Sequence, residues 1–206
     1  GNDYIFQYVV RRDEQEGYAR IIISGQATDG SDGSLTDTAS LMVDLTKPSS
    51  SIGVMPTWQP VAEFPIPFLA SDSRSGVAHV VLYYASYPPG PTEQYTKWVS
   101  PASPSGEWTS SPISFTAPGE GYYYFSTVAV DKAGNAQDVP AAPTASVGVD
   151  ATAPTISSLT INGGMTQTMD PRLSIALAAT DSRSGVADMQ FSYTGSSTWT
   201  AWEPYK

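Results

Sequence analysis

The 206-residue chain contains no cysteine and only one histidine, His79. Without cysteine it cannot form disulfide bonds, thiolate zinc sites or a cysteine nucleophile. A Ser-His-Asp triad or a histidine metal cluster would depend on His79 alone, and strand alternation points this side chain toward solvent. A Gly-rich phosphate loop between a strand and a helix is also missing. These absences predict a protein that is not an enzyme.

Charged residues are few as well, at 15% of the chain, with 20 acidic residues against 10 basic ones and a net charge of −10. An acidic surface repels phosphate backbones and anionic lipids, so we expect no nucleic acid partner. No apolar run approaches the roughly 20 residues of a membrane span, so we expect no membrane insertion. The abundant carboxylates are, however, ligands that calcium prefers.

Glycine and proline are frequent, with 17 residues of each spread along the chain, and 40% of the residues are hydrophobic. This composition favours many short strands joined by turns over long helices. The sequence therefore predicts an all-β fold.

An internal repeat organises the chain. The segment Asp72-Ser-Arg-Ser-Gly-Val77 recurs unchanged as Asp181-Ser-Arg-Ser-Gly-Val186, at an offset of 109 residues (72 to 181). Apolar residues occupy alternate positions on both sides of each copy, which is the pattern of strands with one buried face. Each copy is therefore predicted to be a strand–loop–strand unit.

Two further matches extend this repeat. The strand ending at Asp29 matches the strand ending at Asp131, an offset of 102 residues, and the junction residue Asp44 matches Asp150, an offset of 106. The three offsets define a unit of about 105 residues, which is the size of an immunoglobulin-type β-sandwich. Residues 1–47 are then the C-terminal half of one domain.

Residues 48–150 form a complete domain, and residues 151–206 form the N-terminal half of a third. We refer to these parts as the first, middle and third segments. The predicted strands lie at 4–10, 18–28 and 36–43; at 52–55, 61–70, 77–86, 94–99, 111–116, 122–131 and 142–149; and at 156–161, 172–180, 186–194 and 198–203. Pro65 and Pro67 remove amides from one side of strand 61–70, which predicts a free edge or a bulge there.

The motifs Asp-x-x-Ser-Gly-Val (72–77 and 181–186), Gly-x-Tyr…Ala-Val-Asp-Lys-Ala-Gly-Asn (121–135) and Asp-Ala-Thr-Ala-Pro (150–154) carry a resemblance. With them the chain resembles bacterial immunoglobulin-like and fibronectin-III-like repeats of large surface proteins and adhesins. The resemblance covers nearly the whole chain. It implies tandem immunoglobulin-like β-sandwiches, with only the middle domain complete, and an extracellular or cell-surface location in a bacterium or archaeon.

Acidic residues at the strand ends are the candidate calcium ligands. Loops after the second and sixth strands of such a sandwich emerge at the same end, so they bring together Asp72, Asp131, Asn135 and Asp138. Asp181 is the matching acid of the third segment. As an alternative, each aspartate caps its own loop as an Asx-turn, without an ion. Arg74 and Arg183 would also be placed to neutralise these acids directly.

A second acidic loop contains Asp29, Asp32 and Asp37, which are further candidate calcium ligands. It lacks the ligand spacing and closing glutamate of an EF-hand, and a flexible Gly/Ser turn is the alternative. Asp44 and Asp150 stand at the junctions between segments, where calcium or the short Pro-ended linkers alone would stiffen the joint.

The predicted function is a structural repeat module that forms a rod, stalk or filament, with neighbouring repeats or copies of itself as partners. The two half domains cannot bury their apolar faces alone, so they are completed either by another copy or by flanking sequence. The alternative function is an adhesin module that binds surface glycans or proteins through exposed tyrosine and tryptophan rings and calcium-stabilised loops. The same aromatic residues would otherwise pack inside the fold.

Overall fold

A computed structural model describes Ile5 and residues 16–19, 22–36, 41–87, 96–193 and 197–206. The regular elements of these residues are strands and a single 3-10 turn, Asn162–Gly164. In chain order the strands are β1 (Gly17–Ala19), β2 (Ile22–Gln26), β3 (Asp32–Thr36), β4 (Leu41–Val43), β5 (Ser49–Ile52), β6 (Trp58–Gln59), β7 (Glu63–Ile66), β8 (Phe68–Ser71), β9 (Val77–Tyr87), β10 (Thr96–Lys97), β11 (Ile113–Thr116), β12 (Gly121–Asp131), β13 (Ala145–Val149), β14 (Thr155–Ile161), β15 (Ile175–Thr180), β16 (Asp188–Met189) and β17 (Glu203–Pro204).

The fold of the described residues is therefore all-β, as the composition predicted. None of the described residues belongs to a helix that is both long enough and apolar enough to span a bilayer.

The middle segment contains the one large sheet of the described chain, with strand order β10-β9-β12-β13-β6. All neighbours in it are antiparallel except β13 and β6. The antiparallel pairs β11–β7 and β5–β8 lie on the other side of the core. Strand β12 is central because it pairs with β9 on one side and with β13 on the other.

The core of the middle segment comes from alternating apolar residues on both sets of strands. Alternation puts every second side chain on the inner face, and these faces meet. The buried core residues are Phe64, Ile66, Phe68, Val80, Leu82, Ile113, Phe115, Ala117, Tyr123, Phe125, Ala129, Val147 and Val149. The ring of Phe115 contacts those of Phe64, Phe125 and Tyr123. One continuous core therefore supports the middle segment as a folding unit.

Strand 61–70 was predicted as one element, and this was wrong, because it divides into β7 and β8 at Pro67. Strand β7 pairs with β11 and strand β8 with β5, so the chain changes partners at the proline. Proline has no amide to donate to a ladder, whereas its carbonyl still accepts from the amide of Gly53 at 2.8 Å. Strand β7 has β11 as its only ladder partner among the described strands, which agrees with the predicted free edge.

The first and third segments contain only two-stranded pairings among their described residues: β1–β4, β2–β3, β14–β15 and β16–β17. Predicted strand 4–10 lies outside the described residues apart from Ile5, which is not in a strand. Predicted strand 36–43 corresponds to the end of β3 and to β4. The strands predicted at 186–194 and 198–203 are much shorter than expected, because only β16 and β17 form there.

The two ends of β12 define the two ends of the middle segment. Gly121 pairs with Val149 at one end, which places Asp150 there, and Asp131 pairs with Val77 at the other. An eleven-residue strand is about 33 Å long at ~3.3 Å per residue. Asp131 and Asp150, which ended the two further repeat matches, therefore lie at opposite ends of the middle segment.

Candidate functional site at the segment junctions

Three aspartates meet where the first segment joins the middle one, at a place we call junction 1. Asp44 follows β4, Asp72 follows β8 and Asp131 ends β12, and one carboxylate oxygen from each lies within 4.8 Å of the others. Asp44 and Asp131 are buried, with 5% and 2% of their surfaces exposed. The predicted convergence of Asp72 and Asp131 is thus present, and Asp44 joins it from the preceding segment.

Each loop aspartate also caps its own loop. Asp72 Oδ1 accepts from the amides of Arg74 and Gly76 at 2.9 and 2.8 Å. Asp131 Oδ1 accepts from the amides of Ala133 and Asn135 at 2.9 and 2.8 Å. Each cap uses only one carboxylate oxygen, so capping and the convergence of these aspartates occur together.

Asn135 links the middle segment to the end of the first. Its Nδ2 donates to Asp131 Oδ2 at 2.7 Å and to the main-chain carbonyl of Asp44 at 2.9 Å. The Asp44 carboxylate accepts from the amides of Thr46 and Ser75 at 3.0 and 2.9 Å. Donation by Ser75 is the main reason why the pKa of Asp44 lies below its ordinary value, and it outweighs the opposite effect of desolvation.

Asp72 Oδ2 is buried and has no hydrogen-bond partner among the described residues. A buried carboxylate oxygen without a donor is costly, and it stands beside two further carboxylates. Calcium takes six to eight oxygens at 2.3–2.6 Å, so two of its ligands are at most about 5 Å apart. The spacing of Asp44, Asp72 and Asp131 fits a shared calcium ion.

A glutamate closes junction 1 from the first segment. Glu16 lies just before β1, and its Oε2 is 2.6 Å from Arg74 Nε of the middle segment. The same carboxylate accepts from the amide of Leu45 at 3.1 Å and from the Thr46 hydroxyl at 2.9 Å. Glu16 thus holds both its own linker and the loop of the next segment, and we call this arrangement the glutamate latch.

Junction 2, between the middle and third segments, repeats the latch. Glu120 Oε2 is 3.1 Å from Arg183 Nε, and Glu120 Oε1 accepts from the amide of Ala151 at 3.1 Å and the Thr152 hydroxyl at 2.7 Å. Asp150 accepts from the amides of Thr152 and Ser184 at 3.1 and 2.9 Å. The pKa of Asp150 is lowered chiefly by the Ser184 amide.

Asp181 caps the loop at junction 2 in the same way as Asp72 does at junction 1. Its Oδ1 accepts from the amides of Arg183 and Gly185 at 3.0 and 2.9 Å. Gly76 and Gly185 both have φ of +80°, a conformation that L side chains rarely adopt. The repeated Asp-Ser-Arg-Ser-Gly motif is therefore one loop shape used at both junctions.

Glu16 and Glu120 were not predicted as site residues. The signal was present, because Glu-Gly-Tyr occurs at 16–18 and 120–122, an offset of 104 residues that matches the other offsets. Arg74 and Arg183 had been expected to neutralise the loop aspartates directly. Instead, their guanidinium groups pair with these two glutamates.

The other candidate ligands do not join the cluster. Asp138 is highly exposed and forms an ion pair with Lys47. Asp29 accepts from the hydroxyl and amide of Ser31, of which the hydroxyl bond contributes most to its lowered pKa. Asp32 accepts from Gln26 Nε2 at 2.9 Å. Asp37 lies outside the described residues.

His79 is less exposed than strand alternation predicted. Its side chain is 23% exposed, and its Nε2 lies 4.0 Å from Glu107 Oε1. The neighbouring loop residue Trp108 bridges to Val80 and covers this part of β9. No cysteine or second histidine exists to extend this pair into a metal cluster.

Aromatic residues of the middle segment mostly pack inward or against one another. Tyr84 and Trp98 contact Phe115 at ring-centroid distances of 5.1 and 4.7 Å. Tyr122 is 42% exposed, but its ring lies 5.1 Å from that of Trp58. The described middle segment therefore presents few rings that stand free for a sugar.

Comparison of the chain with protein-family models, with curated proteins and with solved structures gives no match.

Proposed function

We propose that this chain is a non-catalytic structural module of a bacterial or archaeal surface protein, built from tandem immunoglobulin-like sandwiches that form a rod or stalk. The observation that supports it best is the position of the junctions. The contacts to the first segment lie at the Asp131 end of β12, and those to the third lie at the Gly121 end. Segments joined at opposite ends of one long strand extend in a line.

Each junction also restricts bending. The linkers are short, and their first residues are tied to Glu16 or Glu120 by an amide and a hydroxyl. The following loop is tied by a guanidinium and an amide, so each joint is held at several points. Bonds to charged groups contribute more than neutral ones, about 1.5–3 kcal/mol when shielded and less when exposed. A rod keeps its extended length only if its joints do not bend, so it needs joints that are fixed in this way.

We propose calcium as a ligand of junction 1, with Asp44, Asp72 and Asp131 as its carboxylate ligands. The support is the close spacing of the three groups and the unpartnered Asp72 Oδ2. Bound calcium would connect the first segment to two loops of the middle segment and would offset the mutual repulsion of the acids.

We propose further that half domains complete each other between copies. Phe125 and Val147 are buried in the middle segment, and their repeat equivalents Ile23 and Leu41 in the first segment are 64% and 63% exposed. Conversely, buried Ile66 corresponds to Ile175, which is 41% exposed. Each half thus presents what the other lacks, and head-to-tail pairing would extend the filament. Sedimentation equilibrium tests this: assembly should grow with concentration, and a monomer at all concentrations contradicts it.

Small-angle X-ray scattering on the full chain, at the lowest concentration that gives signal, tests the rod. A single compact globule of this length would have a radius of gyration of about 17 Å. We expect a clearly larger radius together with the scattering profile of an ordered particle. A radius near the compact value, or the profile of a flexible chain, would contradict the rod.

A further inference from the structure

The glutamate latch pairs opposite charges from two successive segments, and it occurs at both junctions. Each segment has a trailing end, from which the chain passes to the next segment, and a leading end, which lies next to the preceding segment. Glu16 and Glu120 belong to trailing ends, and Arg74 and Arg183 belong to loops at leading ends. The offsets are 104 residues for the glutamates and 109 for the arginines, so both sides repeat with the unit. Two junctions with different linker sequences thus keep the same set of contacts.

Two features of the partner loop are recognised at each junction. The glutamate carboxylate faces the arginine Nε, and Asp44 or Asp150 accepts the amide of the next loop residue, Ser75 or Ser184, at 2.9 Å. That amide is presented by a loop that turns at a glycine with positive φ. A side chain at this glycine would be strained, so the amide contact requires this particular loop.

We propose that the trailing Glu–Asp pair and the leading Asp-Ser-Arg-Ser-Gly loop form a transferable, one-directional docking interface. The partner that it fits is any β-domain with this loop at its leading end, and Glu16 and Glu120 are its specificity-determining residues. The inference rests on the proposed rod and adds how successive repeats recognise each other.

Direction follows from the charges. At the latch, a trailing end presents two carboxylates, and a leading loop presents a guanidinium and a main-chain amide. The leading-end acids Asp72 and Asp131 lie beside Asp44 and oppose this attraction at junction 1, but each also accepts two amides of its own loop. Two trailing ends would oppose carboxylate to carboxylate, whereas two leading loops would oppose arginine to arginine. Like charges placed opposite each other disfavour both wrong orders. The same latch therefore attracts the next repeat and rejects reversed pairing.

The absence of cysteine allows labels to be placed at will in the full chain. One pair of spin labels, at Ser34→Cys and Ser110→Cys, reports on junction 1, and a second pair, at Ser110→Cys and Gln167→Cys, reports on junction 2. All three positions are exposed. We expect a single narrow distance across each junction in the otherwise unsubstituted chain.

Arg74→Glu should abolish the narrow distance at junction 1 and leave junction 2 unchanged. Adding Glu16→Arg at the same junction should restore it in part, because the charges are again opposite. Adding Glu120→Arg instead gives the same overall composition but splits the changes between junctions. That variant should lose the narrow distance at both junctions. Glu16 would then face a second carboxylate at junction 1, and Arg183 would face a second guanidinium at junction 2.

The outcomes separate the latch from the rod. A broad distance in the unsubstituted chain overturns the rod itself. A narrow distance that survives Arg74→Glu, or a rescue that the split variant gives equally well, overturns the latch and leaves the rod standing. If Arg74→Glu lowers the melting temperature, a broader distance no longer separates loss of the latch from unfolding of the middle segment. Glu16→Gln then tests the latch, because Glu16 lies outside the core of the middle segment. Glu16→Gln should also abolish the narrow distance, and an unchanged distance counts against the latch.

Discussion

Junctions 1 and 2 share a latch but differ in their acids. Both have a glutamate, an arginine, an aspartate at the strand end and a capped Asp-Ser-Arg-Ser-Gly loop. Only junction 1, among the described residues, adds a third carboxylate, Asp131, together with the Asn135 bridge. The latch contacts are therefore the same at both junctions, whether or not Asp131 stands beside them.

The described acids of the two junctions differ by one loop. Asp131 and Asn135 belong to the loop that follows β12, and this loop lies at the leading end of the middle segment. At junction 2 the described acids are Asp150, Asp181 and the latch residue Glu120. A comparison of the two junctions thus isolates the contribution of the loop that carries Asp131.

Removal of Asp131 should have the largest effect. Asp131→Ala leaves the amides of Ala133 and Asn135 and the Asn135 side chain without their acceptor in a buried place, which should cost about 3 kcal/mol of unfolding free energy. Urea denaturation of the full chain measures it. Asp29→Ala is the matched control, because it changes the repeat-equivalent but exposed residue of the first segment, and it should change stability little. Equal losses from the two substitutions would show that burial at junction 1 is unimportant.

Calcium should distinguish the junctions with a slightly smaller effect. At a hundredfold excess over its dissociation constant, a ligand that binds only the folded state stabilises it by about 2.7 kcal/mol. We expect calcium to raise the melting temperature of the unsubstituted chain, and Asp72→Asn to remove this response. Asp181→Asn alters the same loop position at junction 2 and should retain it. A melting temperature that calcium and EDTA leave unchanged would remove calcium from the proposal.

Acid should loosen both junctions, and calcium should make junction 1 more resistant to acid than junction 2. Asp44 and Asp150 have pKa values below the ordinary 3.8, so the stability they contribute is present above that pH. It is lost as the pH falls from 3.8 through the lowered pKa values, because the unfolded state binds protons more readily than the folded state over that range. The label distances measured between pH 6 and pH 2 should broaden only at the acidic end. With calcium present, junction 1 should persist to lower pH than junction 2. Loosening already near pH 6 would refute this assignment.

The smallest effect is expected from the exposed ion pair of Lys47 and Asp138. Their side chains are 48% and 86% exposed, so Lys47→Ala should cost about 0.5 kcal/mol or less. Ala153 occupies the equivalent position at junction 2, which therefore lacks this pair. Thermal melting at low and high salt measures the effect, and Asp138→Ala should match it. A loss of several degrees that is independent of salt would assign Lys47 a larger role.

The long strands of the middle segment could be predicted, because apolar alternation is a local signal. The strand predicted at 52–55 was wrong, because it shares only Ile52 with β5. The predicted strands 77–86 and 122–131 differ from β9 and β12 by one residue at one end. The two-residue strand β6 was missed, since it is held by a parallel pairing with β13 that no local pattern encodes. The break at Pro67 was also missed, although proline chemistry suggested an irregular edge.

The site was predictable only where loops of one segment meet. Asp72 and Asp131 follow from the repeat and from the shared end of a sandwich. The participation of Asp44 and the pairing of Glu16 with Arg74 depend on the angle between segments, which is set by the packed joint. Asp138 was misplaced because it is an exposed loop residue, and nothing in the sequence indicates that its side chain points to Lys47 and away from the cluster.

The way in which the chain enters and leaves the middle segment determines its response to tension. It enters through β5 at the junction 1 end, where Ser49 pairs with Ser71, and leaves through β13 at the junction 2 end, where Val149 pairs with Gly121. A pulling force on the two ends runs along these strands, whereas their inter-strand hydrogen bonds lie across them. The load is therefore a shear that several hydrogen bonds must resist together, and they cannot open one after another as in unzipping.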